Sequence, residues 1–328
     1  MKYWRSFWRT IKSVPTVVLF LGSAAALAAA AVASLCLGAV PISLSELLTL
    51  PDILLYIRIP RVAAAVFAGA GLAGAGVIIQ TLLGNSLAGP NIIGVNAGAG
   101  LVTLAAGIVF PKLPLMQPVG AFLGALAEVG LVYLLSRRAG MSKMTILLAG
   151  VVLNSLFNAV SEALYTFFPD SYVSYASFRV GGLAAIRADV LLPAIVLIAA
   201  AIFVVLLNTD ALELLGLGDE TAFTLGVPVK AYRLLFLICA ACMAGAVVSF
   251  AGLIGFLGLI VPHAARLVVG DEIRRLFPLS VLWGALLLLI CDTTARTAFA
   301  PFELSVGIVI SFIGAPVFIG MLLKSRRG

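Results

Sequence analysis

Six polar residues, Gln80, Glu128, Asn154, Asn158, Glu162 and Asp292, lie within long apolar stretches of the chain. Polar groups are expensive in hydrocarbon, so an intramembrane ionisable residue is a functional suspect by default. Asn154, Asn158 and Glu162 recur every four residues, which a helix aligns on one face. That stripe either faces an aqueous translocation path, to which Gln80 is also assigned, or hydrogen-bonds to a neighbouring helix. Glu128 and Asp292 lack such company and are expected in structural pairs. Arg58 and Arg61 flank a proline before one apolar run, and Arg296 ends another. A guanidinium is a planar, bidentate partner for carboxylates, so these three read as a docking cluster for a protein partner, with snorkelling to lipid headgroups as the alternative.

The remaining reactive residues form no catalytic or metal constellation. Cys239 and Cys242 are spaced C-x-x-C but lie mid-span with no second ligand pair, where thiols act as small hydrophobes. The single histidine, His263, follows Pro262 at a span's end and reads as a structural or interface residue rather than a metal ligand. The chain contains no G-x-x-x-x-G-K-[ST], so it has no phosphate-cradling loop, and any ATP hydrolysis belongs to another chain. It reads as a transport component without catalytic residues, metal or cofactor of its own.

What must position these residues is a membrane bundle. Of 328 residues, 62% are hydrophobic and 11% charged, against roughly 25% charged in soluble domains. Punctuation by Pro, Gly and charge predicts ten spans. The first five lie near 14 to 37, 62 to 83, 93 to 110, 117 to 136 and 144 to 168. The others lie near 189 to 208, 232 to 252, 254 to 269, 277 to 299 and 304 to 323. The first run is read as an uncleaved span, being too long for a signal-peptide core. With the N-terminus inside, Arg58, Arg61, Lys112, Arg179, Arg187 and Arg296 fall outside and the other 15 of the 21 basic residues fall inside. That bias predicts both termini in the cytoplasm. The net charge of +7 is scattered between apolar runs and forms no nucleic-acid stripe.

Three non-membrane stretches are long enough to act. Residues 38 to 61 and 169 to 188 face outside. Residues 209 to 231 face inside and predict two short helices broken at Gly216 to Gly218, with Asp219 and Glu220 at the second helix's start, the end favoured for acids. Leu214, Leu215, Leu217 and Phe223 are the apolar anchors with which this segment would fill a groove on a partner.

Several motifs together resemble the FecCD/BtuC-like permease family of iron-siderophore, haem and cobalamin ABC importers, over nearly the whole chain. They are Arg58-Ile59-Pro60-Arg61, the glycine-rich run from Gly69 through Gln80 to the loop at Gly84 to Ala99, and the segment from Leu217 to Val227. Gly252 to Arg266, Cys291 to Arg296 and Glu303 to Pro316 complete the set. Ser86 stands where the family usually has proline.

The resemblance implies one permease domain, 1 to 328, of all-α, type II ABC importer architecture with about ten transmembrane helices. Two copies would surround a central path in the bacterial cytoplasmic membrane, in contact with lipid. Each copy would dock one ATP-binding cassette ATPase, which holds ATP and Mg, and an extracytoplasmic substrate-binding protein would cap the outside. By the same resemblance Asn85, Ser86 and Leu87, with Lys143 and Met144, fall at the cytoplasmic gate, and the segment carrying Leu217, Gly218, Asp219 and Glu220 couples to the ATPase. The runner-up is a secondary transporter driven by an ion gradient, for which paired intramembrane carboxylates would be expected.

Overall fold

The computed structural model describes residues 15–38, 52–140, 142–184, 186–298 and 302–325. The basic residues expected inside at Lys2, Arg5, Arg9, Lys12, Arg326 and Arg327 lie outside this range. Among the described residues the regular structure is helical throughout. The helices are α1 Thr16–Cys36, α2 Ile59–Leu83, α3 Val95–Val109, α4 Met116–Arg138, α5 Lys143–Phe167, α6 Tyr172–Val180 and α7 Ala188–Leu207. They continue with α8 Thr209–Gly216, α9 Asp219–Thr224, α10 Val229–Ala251, α11 Leu257–Val269, α12 Ile273–Thr297 and α13 Val306–Ser325. All but α6, α8 and α9 correspond to the ten expected spans. Seven are long and apolar enough to cross a bilayer alone, while α3, α11 and the apolar part of α13 are shorter.

The second span begins earlier than expected. A π-helical turn, Leu54–Arg58, runs directly into α2, so the apolar helix covers Leu54–Leu83 without a break at Pro60. Pro60 falls where the wider π turn, closed by the Ile59 amide on the Leu54 carbonyl, gives way to α2, and such a shift in the hydrogen-bond ladder accommodates a residue that lacks an N–H. Arg58 and Arg61 are therefore inside the span rather than in an outer loop before it. The eighth span instead starts late. Gly252 and Phe256 both adopt left-handed backbone, at φ 68° and 61°, and break the chain between α10 and α11. Such a conformation is unusual for phenylalanine.

The centre of the bundle is α2, packed against α10, α11 and α12. Lipid tails are as apolar as leucine, so helices in a bilayer associate through close backbone contact rather than through escape from water. The glycines of α2 permit it. A Cβ added at Gly69 would lie 2.2 Å from the Gly284 carbonyl oxygen, and one added at Gly76 would lie 1.9 Å from that of Gly258. Replacing Gly76 with alanine is expected to force α2 and α11 apart and lower stability by roughly 1–3 kcal/mol, read as earlier thermal unfolding in detergent. Gly130 of α4, which has nothing within 4 Å of a built Cβ, should accept alanine without a shift. Equal tolerance at both positions would contradict this packing.

Candidate functional site

At one end of the bundle α8 follows α7 and lies under α2 and α12, and α9 packs on α8 and α10. Leu212 and Leu215, three residues apart on α8, are 0% and 1% exposed, and a Cβ at Gly216 would meet the Thr81 methyl at 3.1 Å. This corrects the expectation that Leu215 is an anchor for a partner: it faces the chain's own core. Leu214 is half-buried, while Leu217, Phe223 and Leu225 are 65%, 74% and 58% exposed. Gly218, at φ 114°, makes the break between the two helices. Asp219 pairs with the buried Arg233 of α10, and Glu220 is exposed.

The segment is also fastened to α12. Arg274 donates from Nε and Nη2 to the two carboxylate oxygens of Asp210, at 2.6 and 2.7 Å. These hydrogen bonds hold the Asp210 carboxyl below its ordinary range. The Ile273 amide, at the first turn of α12, donates to Glu213 Oε2 at 3.2 Å, a placement the helix dipole favours.

The loop after α2 and the start of α5 meet near the same end. Gly84 is left-handed, and a Cβ on it would lie 2.8 Å from Lys143 Nζ. Asn85 Oδ1 accepts the Leu87 amide at 2.9 Å, which closes a tight turn. Asn85 and Ser86 are exposed, Leu87 and Lys143 half-buried, and Met144 is 64% exposed. The five residues assigned to a gate are thus neighbours. Beyond them the chain makes a short turn, Pro90–Ile93, against the side of α5: the Ile92 carbonyl oxygen lies 2.1 Å from where a Cβ on Gly150 would be.

Of the four residues assigned to a translocation path, two are not free to line one. Gln80 is 2% exposed. Its Nε2 donates to the Gly258 and Leu259 carbonyls at 3.3 and 3.4 Å, and its Oε1 accepts from Arg266 at 2.8 Å. It braces α2 to α11. Asn154 is half-buried and donates to the Asn91 carbonyl at 3.1 Å, adding a second donor to an oxygen that already accepts the Gly94 amide and so tying the 90–93 turn to α5. Asn158 and Glu162 lie on the open face of α5.

A cavity of about 750 Å3 is lined by Asn96, Arg179, Gly255, Ser311, Phe312 and Pro316, among others. In sequence Arg179 stands out only as an outer charge, and Asn96 and Ser311 do not stand out at all. Their signal was a polar residue beside an apolar run, which Asn96 and Ser311 share with many packing residues.

At the opposite end the three arginines assigned to docking are only 5%, 7% and 4% exposed for Arg58, Arg61 and Arg296. Arg61 donates Nε and Nη2 to Asp292 Oδ1 at 3.1 and 3.0 Å and Nη1 to Glu303 at 2.9 Å. Arg296 lies 3.7 Å from Asp292 and donates to the Ser34 carbonyl, and Arg58 donates to the carbonyls of Leu35 and Cys36. The carbonyls at a helix C-terminus have no partner within the helix, and here two guanidinium groups cap those of α1. The docking expectation is therefore corrected. The arginines fasten α1, α2 and α12 to one another and do not present a cationic surface.

Asp292 has the structural pairing expected of it. Glu128, fully buried on α4, accepts the Gly98 amide of α3. Its carboxyl fits because Gly94 and Gly98 have no side chains: a Cβ at Gly94 would lie 2.4 Å from the Glu128 carboxyl carbon.

The FecCD transport family model matches residues 26–324. The hemin transport system permease protein HmuU of Yersinia pestis is 39% identical over 279 residues, covering 83% of this chain and 84% of that protein. The Fe(3+) dicitrate transport system permease protein FecD of Escherichia coli is 37% identical over 309 residues, with 92% and 96% covered. The vitamin B12 import system permease protein BtuC of Vibrio cholerae is 38% identical, with 82% of each chain covered. A solved metal-chelate type ABC transporter in an inward-facing conformation superimposes with a TM-score of 0.86 at 28% identity, over 93% of this chain and 99% of that one. With ten apolar helices among the described residues and a family match over 26–324, the chain is a multi-pass permease subunit and belongs to the FecCD transport family.

Proposed function

We propose that two copies of this chain form the membrane path of an ABC importer for chelated iron, haem or a cobalamin, in a bacterial cytoplasmic membrane, with both termini in the cytoplasm. Two ATPase subunits dock inside, holding ATP and Mg, and a substrate-binding protein delivers the cargo outside. The observation that carries this reading is the apolar patch of Leu217, Phe223 and Leu225, which sits at the end of the bundle assigned to the cytoplasm by the basic residues and is fastened through Asp210 and Glu213 to α12. Apolar groups that face water rather than lipid mark a protein interface. The names of the relatives supply the cargo classes.

The open faces of α5 and α13 fit a second copy around the path. Val152 and Leu156 on α5 are 63% and 53% exposed, and Phe312 and Ile319 on α13 are 77% and 56% exposed. The gate residues 85–87, 143 and 144 then lie where α5 enters the membrane. When the ATPases close, the coupling segment moves, and α12 moves with it through the Arg274 clamp. Such an equilibrium shifts only as far as the differential binding energy of nucleotide allows. The chain acts throughout as one permease domain.

Co-expression with the neighbouring ATPase and binding protein tests the reading. A stoichiometric ATPase should co-purify, and proteoliposomes should import cargo only with ATP inside and binding protein outside. Import by this chain alone under a proton or sodium gradient would replace the reading with an ion-coupled carrier.

A further inference from the structure

The six basic residues expected on the outer side differ sharply in how they are held. Arg58, Arg61 and Arg296 are buried and engaged by carbonyls or carboxylates. Arg187 is clamped by Asp189, Nε to Oδ1 at 3.1 Å and Nη2 to Oδ2 at 2.7 Å. Lys112 is exposed on the turn between α3 and α4. Arg179 alone lines the 750 Å3 cavity. Its side chain is 56% exposed, and its one ion-pair partner among the described residues, Glu162 on the open face of α5, stands 4.0 Å away. A half-exposed pair at that separation contributes little, so the guanidinium is available to another carboxylate.

The backbone beneath Arg179 is fixed. The Leu253 amide donates to the Phe178 carbonyl at 2.9 Å, and the Gly182 amide donates to the Ala251 carbonyl at 2.8 Å. A Cβ at Gly181 would lie 2.3 Å from the Leu253 carbonyl oxygen. The last turn of α6 is therefore seated against the α10–α11 junction, and the side chain leaves a rigid base. The cavity wall around it is largely apolar, from Val180, Leu253, Ile308 and Phe312, and low-polarity walls strengthen the field of a single charge.

We propose that Arg179 is a specificity-determining residue and that the cargo is a chelate bearing a free carboxylate. In the cavity that carboxylate takes the guanidinium in bidentate fashion, displacing Glu162, while the apolar body of the cargo lies against Phe312. Glu162 acts as an internal competitor: it keeps the cavity near neutrality when empty and repels the anion until displaced. The proposal rests on the importer reading above.

The test uses the full transporter with its binding protein in proteoliposomes. The probes are haemin and ferric dicitrate, which carry carboxylates, and the neutral chelate ferrichrome. For a carboxylate probe, Arg179→Gln should lower kcat/KM roughly tenfold, chiefly through KM. Arg179→Lys should recover part of the loss, and Glu162→Gln should raise kcat/KM. Arg187→Gln, which alters an outer arginine away from the cavity, should match the parent. The opposite signs at positions 179 and 162 separate cargo recognition from a merely structural pair, whose two variants would both lose activity. Transport by the parent of ferrichrome alone, unchanged import by Arg179→Gln, or parallel losses at 179 and 162 would each overturn the proposal. If no chelate of either charge is carried although the ATPase co-purifies, the cargo class of the importer reading fails and the proposal falls with it.

Discussion

Replacing Leu217 and Phe223 together by aspartate should abolish substrate-stimulated ATP hydrolysis in the assembled transporter while leaving the chain inserted and folded. The two side chains are 65% and 74% exposed, so the folded permease loses no core contact when they become charged. An ATPase groove that received them would instead have to bury two carboxylates, and each such desolvation without a partner costs several kcal/mol. A few anchors carry most of the energy of such contacts, so binding should fall by orders of magnitude rather than gradually. Leu215→Asp makes the contrasting variant. At 1% exposure it would place a charge in the chain's own core, and loss of folded protein should precede any effect on the ATPase. Stimulated hydrolysis at the parent rate in the Leu217→Asp, Phe223→Asp variant would move the docking surface elsewhere.

That contrast marks what a linear sequence could and could not convey. The ten apolar helices were legible because each is written in contiguous residues, and proline, glycine and charge punctuate them. The break at Gly216 to Gly218 was legible for the same reason. Which face of α8 turned inward was not, since Leu214, Leu215 and Leu217 are all leucine and only the position of α2 above them separates buried from exposed. The start of α2 was misjudged because Arg58 and Arg61 read as water-facing charges. Their partners are supplied by the end of α1 and by Asp292, and Arg61 and Asp292 stand 231 positions apart. Gln80 and Asn154 were assigned to a path for a related reason. An amide satisfied by a neighbouring backbone looks, in sequence, the same as one facing water. Arg179 is legible in sequence only as one outer charge among six, because the long 4.0 Å contact that sets it apart from the clamped arginines depends on where Glu162 falls in the fold.

The second large effect is expected at the opposite end of the bundle, where Asp292→Asn should destabilise the permease by about 3–5 kcal/mol, the usual consequence of breaking a buried ion pair from one side. Asp292 is 0% exposed and serves both Arg61, at 3.0 Å, and Arg296, at 3.7 Å. Removing its charge leaves Arg61 with Glu303 alone and Arg296 without its carboxylate, in a region that water barely reaches. Arg61→Met should be nearly as damaging, because the aspartate then keeps only the more distant Arg296. The double variant Arg61→Met, Asp292→Leu should recover part of the loss, since it removes one of the two buried cations together with the aspartate. Arg296 retains the Ser34 carbonyl, Glu303 is 41% exposed and can hydrate, and two apolar side chains of suitable volume often replace a buried pair without penalty. Unfolding of the purified chain in detergent, followed for the parent, both single variants and the double variant, gives the coupling energy directly. Since Arg61 and Asp292 tie α2 to the end of α12 remote from Arg274, the recovered double variant should also show whether the charges themselves are needed for transport. Restored stability with restored import would assign the clasp to assembly alone, whereas restored stability with lost import would assign it to the motion that α12 transmits. Strictly additive losses in the two single variants would show that Arg61 and Asp292 do not act as a pair.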